Sequence, residues 1–338
     1  MDFFELKTAT FVQILCLTMN LKRISAIFCT VFLLCGCGRG SYVAFSGYAQ
    51  GGIYTVKINM EGVRVSEEDI AAAVDSLLND IDFSISGYNR NSLLSRRNAG
   101  EEIVPDRYFT EVSELSEKYK KLTDGAFDVA GGPLYDIWGF GFTADSLPSP
   151  REIAAAMEEC RQGKTLNFNA IAQGYSCDVI ASYLYSVGVH DMLVDIGEIY
   201  CDGLNPNGTG WTVGVDNPVD GNNSPGADLR GIWQSDGKAC GIVTSGNYRK
   251  FYIKDGKKYA HTIDPRTGYP VEHDLLSATI VAPTAAEADA LATACMVIGP
   301  EKARQLIESM PEVEGYLITS EGTWTSTGFR LEDRNGDF

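Results

Sequence analysis

The sequence predicts an α+β fold, and three observations carry that prediction. Apolar stripes of helical period dominate the first half of the chain. From Met192 onward short β-branched runs take over. The two kinds of element mix without the regular βαβ alternation of a doubly wound sheet. No internal repeat stands out, and no linker is long enough to separate domains. Asn217 to Asp228 reads as a surface loop.

Each element has a local reason. Residues 39–48 read as a tether, and Ile53 to Ile58 alternates as a strand should. Ser66 suits a helix N-cap, with Glu67, Glu68 and Asp69 complementing the positive helix end. Ile70, Val74, Leu77, Leu78 and Ile81 then form one stripe. A second helix spans Asp106 to Leu122, with Tyr108, Val112, Leu115 and Tyr119 on one face. Ser149-Pro150 opens a third that ends near Gly163. A fourth runs from Ala170 to Ser186. Strands follow at 192–196, 211–215, 241–244, 250–253, 277–281 and 315–319. Thr284 and Glu287 form a T-x-x-E capping box for the next helix. Pro300 opens the last, which ends near Met310.

The bulk numbers narrow the function. The chain has 338 residues, 44% apolar and 22% charged, with a formal net charge of −17. So acidic a chain is a poor nucleic-acid binder, but a bound cation could still bring in an anionic small molecule. Lys22 and Arg23 precede an apolar run from Ile24 to Leu34, the layout of a secretory signal peptide. Met19 is a better start for it than Met1. The Leu34-Cys35-Gly36-Cys37 ending resembles a bacterial lipobox, with Cys37 as the lipidated residue. The expected organisation is a leader over 1–37, a tether over 38–46 and one domain over 47–338, held outside the cytoplasm on a bacterial membrane. A simple leader with Cys37 discarded or free is the other reading. Cys160, Cys177, Cys201, Cys240 and Cys295 are odd in number and lack CxxC spacing, so neither a disulfide framework nor a zinc site follows.

Three stretches carry chemistry. HTIDPRTGYP (His261 to Pro270) precedes a helix bearing Asp289 and Thr293. Their spacing of four puts a carboxylate and a hydroxyl on one helix face, which suits Mg²⁺ beside a phosphate. His261 sits three residues before Asp264 and is a candidate general base; a structural histidine is equally open. TDGAFDVAGGPLYDIWGF (Thr123 to Phe140) offers glycine turns, acceptors and aromatic surface for a planar ligand, or simply an aromatic core. LNFNAIAQGYSCD (Leu166 to Asp178) reads as a strand turning into a helix whose N-terminus suits an anion. Upstream, Tyr88, Arg90, Arg96 and Arg97 form a basic turn, equally readable as a solvated face.

Taken together, these blocks resemble the ApbE family of flavin transferases. The matching runs are SxxYxxxSxxxxxN around Tyr88, DGAFDxxxGPLxxxWGF, NAIAxGYxxD, TSGxYRxF, and HxIDPxTGxP followed by PTxxEADxLATA. They cover most of the chain, from Gly47 to Met310. The resemblance implies one T-fold-related α+β domain of two closely packed lobes, with mixed or antiparallel sheets and flanking helices. It implies FAD as substrate, contacted by Gln50, Tyr88, Ala126, Phe127, Asp128, Asn167, Gln173 and Ile263. It implies Mg²⁺ held by the carbonyl of Ala170, Asp289 and Thr293. The implied reaction moves FMN from FAD to a threonine or serine of an acceptor flavoprotein, such as a membrane redox-pump subunit or an extracellular flavoprotein. His261 would take the hydroxyl proton, with Asp264 holding its ring. FAD hydrolysis to FMN and AMP, or non-catalytic FAD binding, are the alternatives. Four positions depart from the family pattern: Gln50 for methionine, Gly52 for threonine, Gln173 for lysine, and Glu198 within the usual Gly-Gly-Asp.

Overall fold

The computed structural model describes residues 41–139, 147–219, 222, 224, 226–248, 251–254, 257–260 and 262–333. The leader and lipobox expected over 1–37 lie outside them, as does His261. Residues 43–338 form one compact unit.

The described chain opens with β1 (Tyr42–Ala49) and β2 (Gly52–Asn59). Over 42–46 a strand replaces the expected tether, because Val43 and Phe45 alternate inward and pack on the core around Val56, Ile58, Ile70 and Val74. Small Gly47 and Ala49 at the next inward positions, with exposed Tyr48 between them, mask the period-two pattern. α1 (Glu67–Ile85) is capped by Ser66, whose Oγ accepts from Asp69 N at 3.1 Å. It buries Ile70, Val74, Leu78 and Ile81, as the stripe requires, while Leu77 sits at its margin. α2 (Leu93–Asn98) is short. α3 (Arg107–Leu122) starts at Asp106, which accepts from Phe109 N at 2.8 Å. A 3-10 turn (Val129–Gly131) leads into α4 (Gly132–Ile137). α5 (Pro150–Arg161) carries a complete Ser149–Glu152 capping box. α6 (Ala172–Ser186) begins two residues later than expected, leaving Ala170 in the preceding turn.

β3 (Met192–Asp195), β4 (Ile199–Asp202), β5 (Thr212–Asp216), β6 (Leu229–Gln234) and β7 (Cys240–Gly246) follow. Next come β8 (Phe251–Lys254), β9 (Lys257–Ala260), β10 (Ile263–Asp264), β11 (Tyr269–Pro270) and β12 (Leu275–Ala282). α7 (Ala285–Ile298), α8 (Pro300–Glu308), β13 (Glu314–Thr319), β14 (Thr323–Thr325) and β15 (Leu331–Asp333) complete the order. The main sheet has eight strands in the order β1-β2-β3-β4-β7-β12-β13-β14, and a smaller one reads β15-β6-β5. From β2 to β14 the main sheet's neighbours pair antiparallel.

α7 is alanine-rich and buried nearly all round, which marks a helix enclosed by protein rather than laid on a surface. It lies against α6, β7 and β12. Thr284 Oγ1 accepts from Glu287 N at 3.1 Å, but the Glu287 carboxylate turns to Lys118 at 3.8 Å, so half of the expected capping box forms. Two glycines admit the start of α7. A Cβ on Gly174 would lie 2.3 Å from the Ala285 carbonyl oxygen, and one on Gly241 would lie 2.3 Å from Ala285 Cα. Gly174→Ala should therefore push α6 and α7 apart and cost about 1–3 kcal/mol, as overpacking does. A thermal melt checks it; an unchanged midpoint would contradict the tight packing.

Candidate active site

The site forms where the start of α6, the face of α7 and the end of β7 converge. Asp289, on the second turn of α7, is only 4% exposed. Its Oδ2 accepts from Gly174 N of α6 at 3.2 Å. Asp178 of α6 answers in the opposite direction. Its Oδ1 and Oδ2 accept from Ala285 N at 2.8 Å and Ala286 N at 2.9 Å, capping α7. Each helix thus offers a carboxylate to the backbone of the other. Burial, the larger cause, and the Asp178 charge push the Asp289 carboxyl up to about 7. Burial likewise pushes Asp178 up to about 7, against the pull of its two backbone donors.

This corner opens into a cavity of about 410 Å³. Tyr88, Ala126, Phe127, Asp128, Asn167, Ala170, Ile263, Asp289 and Thr293 all line it. Nine positions scattered from residue 88 to residue 293 therefore meet around one space. Phe127 also packs edge-on against Tyr119, with centroids 6.4 Å apart, so its ring belongs to the core as well. Asp124 and Gly125 adopt positive φ of 50° and 74°, turning the chain so that Ala126 and Phe127 reach the cavity. Asp128 Oδ1 accepts from Ala130 N at 2.9 Å, and its Oδ2 pairs with Lys120 at 2.9 Å. Asn167 N donates to Val129 O at 2.7 Å, fixing one wall to the next. Tyr88 is 69% exposed, and its hydroxyl accepts from Asn169 Nδ2 at 3.2 Å.

The donor chemistry fits a hard divalent cation. Among the described residues no group of three or more His, Cys, Asp or Glu could hold a metal. A cation here would rest on one carboxylate, the Thr293 hydroxyl and the Ala170 carbonyl, with the rest of its shell from substrate oxygens. That sparse set is what Mg²⁺ accepts. It would also offset the cost of keeping the Asp289 carboxylate ionised while buried.

Other expectations land elsewhere. Gln50 sits in the β1–β2 turn at φ 49°, and its Nε2 donates to Ser176 Oγ at 2.5 Å. Gln173 Nε2 donates to Ile196 O at 2.8 Å. Both amides brace α6 against neighbouring hairpins and are not among the cavity's lining residues. Asp264, expected to hold His261, is bound by Arg266 through Nε at 2.8 Å and Nη2 at 2.7 Å. Whether the ring of His261 also reaches Asp264 lies outside the described residues. The basic turn near Tyr88 also braces protein. Arg97 donates to Lys164 O at 2.7 Å and Gly163 O at 2.6 Å, and Arg96 pairs with Glu101 at 2.8 Å. Arg97→Ala should loosen the segment leading to Asn167 and cost about 1–2 kcal/mol. A melt together with FAD affinity tests this; loss of neither would show that the segment holds without Arg97.

The sequence profile of the ApbE family matches residues 51–317, most of the chain. The chain belongs to the ApbE family. It is 32% identical to the FAD:protein FMN transferase of Escherichia coli (strain K12), over 78% of this chain and 81% of that protein. It is equally 32% identical to the FAD:protein FMN transferase of Klebsiella pneumoniae (strain 342), over 81% and 85%. Its fold is similar to that of the flavin transferase ApbE from Vibrio cholerae, with a TM-score of 0.73 at 28% identity, covering 85% of this chain and 98% of that one. The apo flavinyl transferase ApbE of Pseudomonas stutzeri matches with a TM-score of 0.74 at 31% identity, covering 86% and 95%.

In this ApbE-family chain, several cavity residues had no assigned role in the sequence reading. Thr244, Ser245, Gly246 and Tyr248 bring the TSGNY run into the wall, and Glu198 joins them from the β3–β4 turn. Thr244 Oγ1 is 2.8 Å from Thr279 Oγ1, which ties the wall to β12. The cluster of hydroxyls in TSGNY was the available signal. The role of Asp178 had no signal beyond its place at the end of a motif, because its partners lie 107 and 108 residues away.

Proposed function

We propose that this protein transfers the FMN moiety of FAD to a threonine or serine hydroxyl of a partner protein, releasing AMP, and that it requires Mg²⁺. The observation that carries the reading is the cavity itself: one space joins the Ala126–Asp128 turn to the buried Asp289–Thr293 corner. A flavin would lie against the turn and Tyr88, with its pyrophosphate toward Asn167, Ala170 and α7. In the reaction, the acceptor oxygen bonds to the FMN-side phosphorus and the bond from that phosphorus to the AMP oxygen breaks. Positioning and charge neutralisation dominate such chemistry. Mg²⁺, held by Ala170, Asp289 and Thr293, would supply the charge neutralisation at the pyrophosphate. His261 is the candidate acceptor of the hydroxyl proton. Asp264 would hold its ring, and it also fixes Arg266 through two hydrogen bonds.

The same reading places the protein outside the cytoplasm, anchored through lipid on Cys37. Among the described residues no helix is long and apolar enough to cross a membrane. Cys37→Ala should move the protein from the membrane fraction to the soluble one; unchanged membrane retention would remove the anchor from the account.

The full chain incubated with FAD, Mg²⁺ and membranes of its own cells tests the activity. Expected is a protein band that keeps flavin fluorescence in denaturing gels and carries FMN on one threonine or serine by mass spectrometry. AMP release at the same rate without membranes, and no modified protein, would make it an FAD hydrolase instead.

A further inference from the structure

Two cysteines face each other across the main sheet. Cys201 on β4 and Cys240 on β7 are register partners in an antiparallel pair, between Tyr200↔Gly241 and the β4 end. Their sulfurs lie 3.8 Å apart and both are free thiols. Directly opposed residues in antiparallel strands have Cα atoms about 4.5–5.5 Å apart, inside the 4.4–6.8 Å window of a disulfide. The backbone is therefore already in place, and only the two side chains need turn. The other three described cysteines have no such arrangement: Cys160, Cys177 and Cys295 are buried, and Cys177 gives its thiol to the Glu198 carbonyl at 3.1 Å.

We propose that Cys201 and Cys240 form a reversible cross-strand disulfide when the protein meets a disulfide oxidant, stapling β4 to β7. Accessibility sets the order of events. Cys240 is partly exposed, while Cys201 is fully buried behind it. The Cys240 thiolate attacks one sulfur of the donor disulfide, forming a mixed disulfide and releasing one donor thiol. Cys201 then loses its proton and attacks Cys240 Sγ, releasing the second donor thiol. Two protein thiols are oxidised by two electrons, and one donor disulfide is reduced. The neighbouring thiol, foremost, and burial hold the Cys201 thiol well above its ordinary value, so Cys240 is the residue that starts the exchange.

The staple sits near the site without touching it. β7 continues from Cys240 to Thr244, Ser245 and Gly246 in the cavity wall, and β4 begins one residue after Glu198. A crosslink encloses β5, β6 and their loop in a closed ring, so it restricts the unfolded chain most strongly there. Its expected consequence is a more heat-resistant sheet, with cavity geometry unchanged. The inference rests on strand register and thiol placement, and it holds or fails independently of flavin transfer and of cellular location.

Oxidised glutathione on the full-length protein is the test. After denaturation and alkylation, a non-reduced digest should contain the Cys201 and Cys240 peptides joined and two hydrogens lighter, with Cys160, Cys177 and Cys295 alkylated. The melting temperature should rise by several degrees and fall back on adding dithiothreitol. Cys240→Ser should remove both the crosslink and the rise. Cys201→Ser should trap glutathione on Cys240. Alkylation of both cysteines in the oxidised wild-type protein, or glutathione persisting on Cys240 there, would overturn the proposal.

Discussion

Replacing Asp289 with asparagine is expected to lower flavin transfer by about 10²–10³-fold, the scale for losing one preorganised charge-stabilising group. It should also weaken Mg²⁺ binding in calorimetry, which separates loss of the cation from loss of the fold. The same substitution should make the metal-free protein more stable, and the sign follows from burial. The Asp289 carboxyl rises to about 7 in the folded chain, with an ordinary value of 3.8. A carboxyl raised on folding binds its proton more tightly in the native state. Its contribution is fully present below pH about 4 and is lost as pH rises toward about 7. Metal-free wild-type protein should therefore lose stability across that window, and Asp289→Asn should lose less. Saturating Mg²⁺ should reverse the order at pH 7, because it stabilises only a chain that can bind it. If metal-free Asp289→Asn melts well below the wild type at pH 7, the carboxylate is held by partners other than a cation.

Asp178 carries the second large effect, although it lines no part of the cavity. Asp178→Ala strips the first two N–H groups of α7 of their acceptors in a buried place. The expected loss is about 2–4 kcal/mol, from two hydrogen bonds lost and two buried N–H groups left unpaired. Mg²⁺ affinity should fall about 10–100-fold as well, the usual range for partners that orient metal ligands. Asp178→Asn separates the two consequences. It retains one acceptor oxygen but turns an amide donor toward a backbone donor, so it should recover part of the stability and less of the affinity. A variant that loses stability while binding Mg²⁺ at wild-type strength would show that α7 keeps Asp289 in place unaided.

The longer helices were legible because their causes are local, whereas the six-residue α2 and α4 were not expected. Ser66, Asp106, Ser149 and Thr284 each cap the helix that follows, and the stripe through Ile70, Val74, Leu78 and Ile81 is buried. β1 was not legible, since small Gly47 and Ala49 take the inward positions after Val43 and Phe45 while Tyr48 points out. Pairing with β2, a tertiary fact, decides that segment. The site divides in the same way. Asp289 and Thr293 share a face by helical spacing alone. The Gln50 and Gln173 assignments came through family position, and here the two amides bond to Ser176 and Ile196. Gln173 shows the physical consequence most clearly. Its neutral amide reaches the Ile196 carbonyl beneath Gly197, which keeps φ at 98° where a Cβ would lie 2.9 Å from Gln173 Nε2. A lysine there would bring a charge and a longer stem into the same space.

The most direct measurement follows two products together: the mass of an acceptor protein and the AMP released, after incubation with FAD and Mg²⁺, for wild type and Asp289→Asn. The account predicts one FMN on a threonine or serine for each AMP formed by the wild-type protein. It predicts both products reduced about 10²–10³-fold in the variant. AMP without modified acceptor, or Asp289→Asn modifying the acceptor at the wild-type rate, would contradict it.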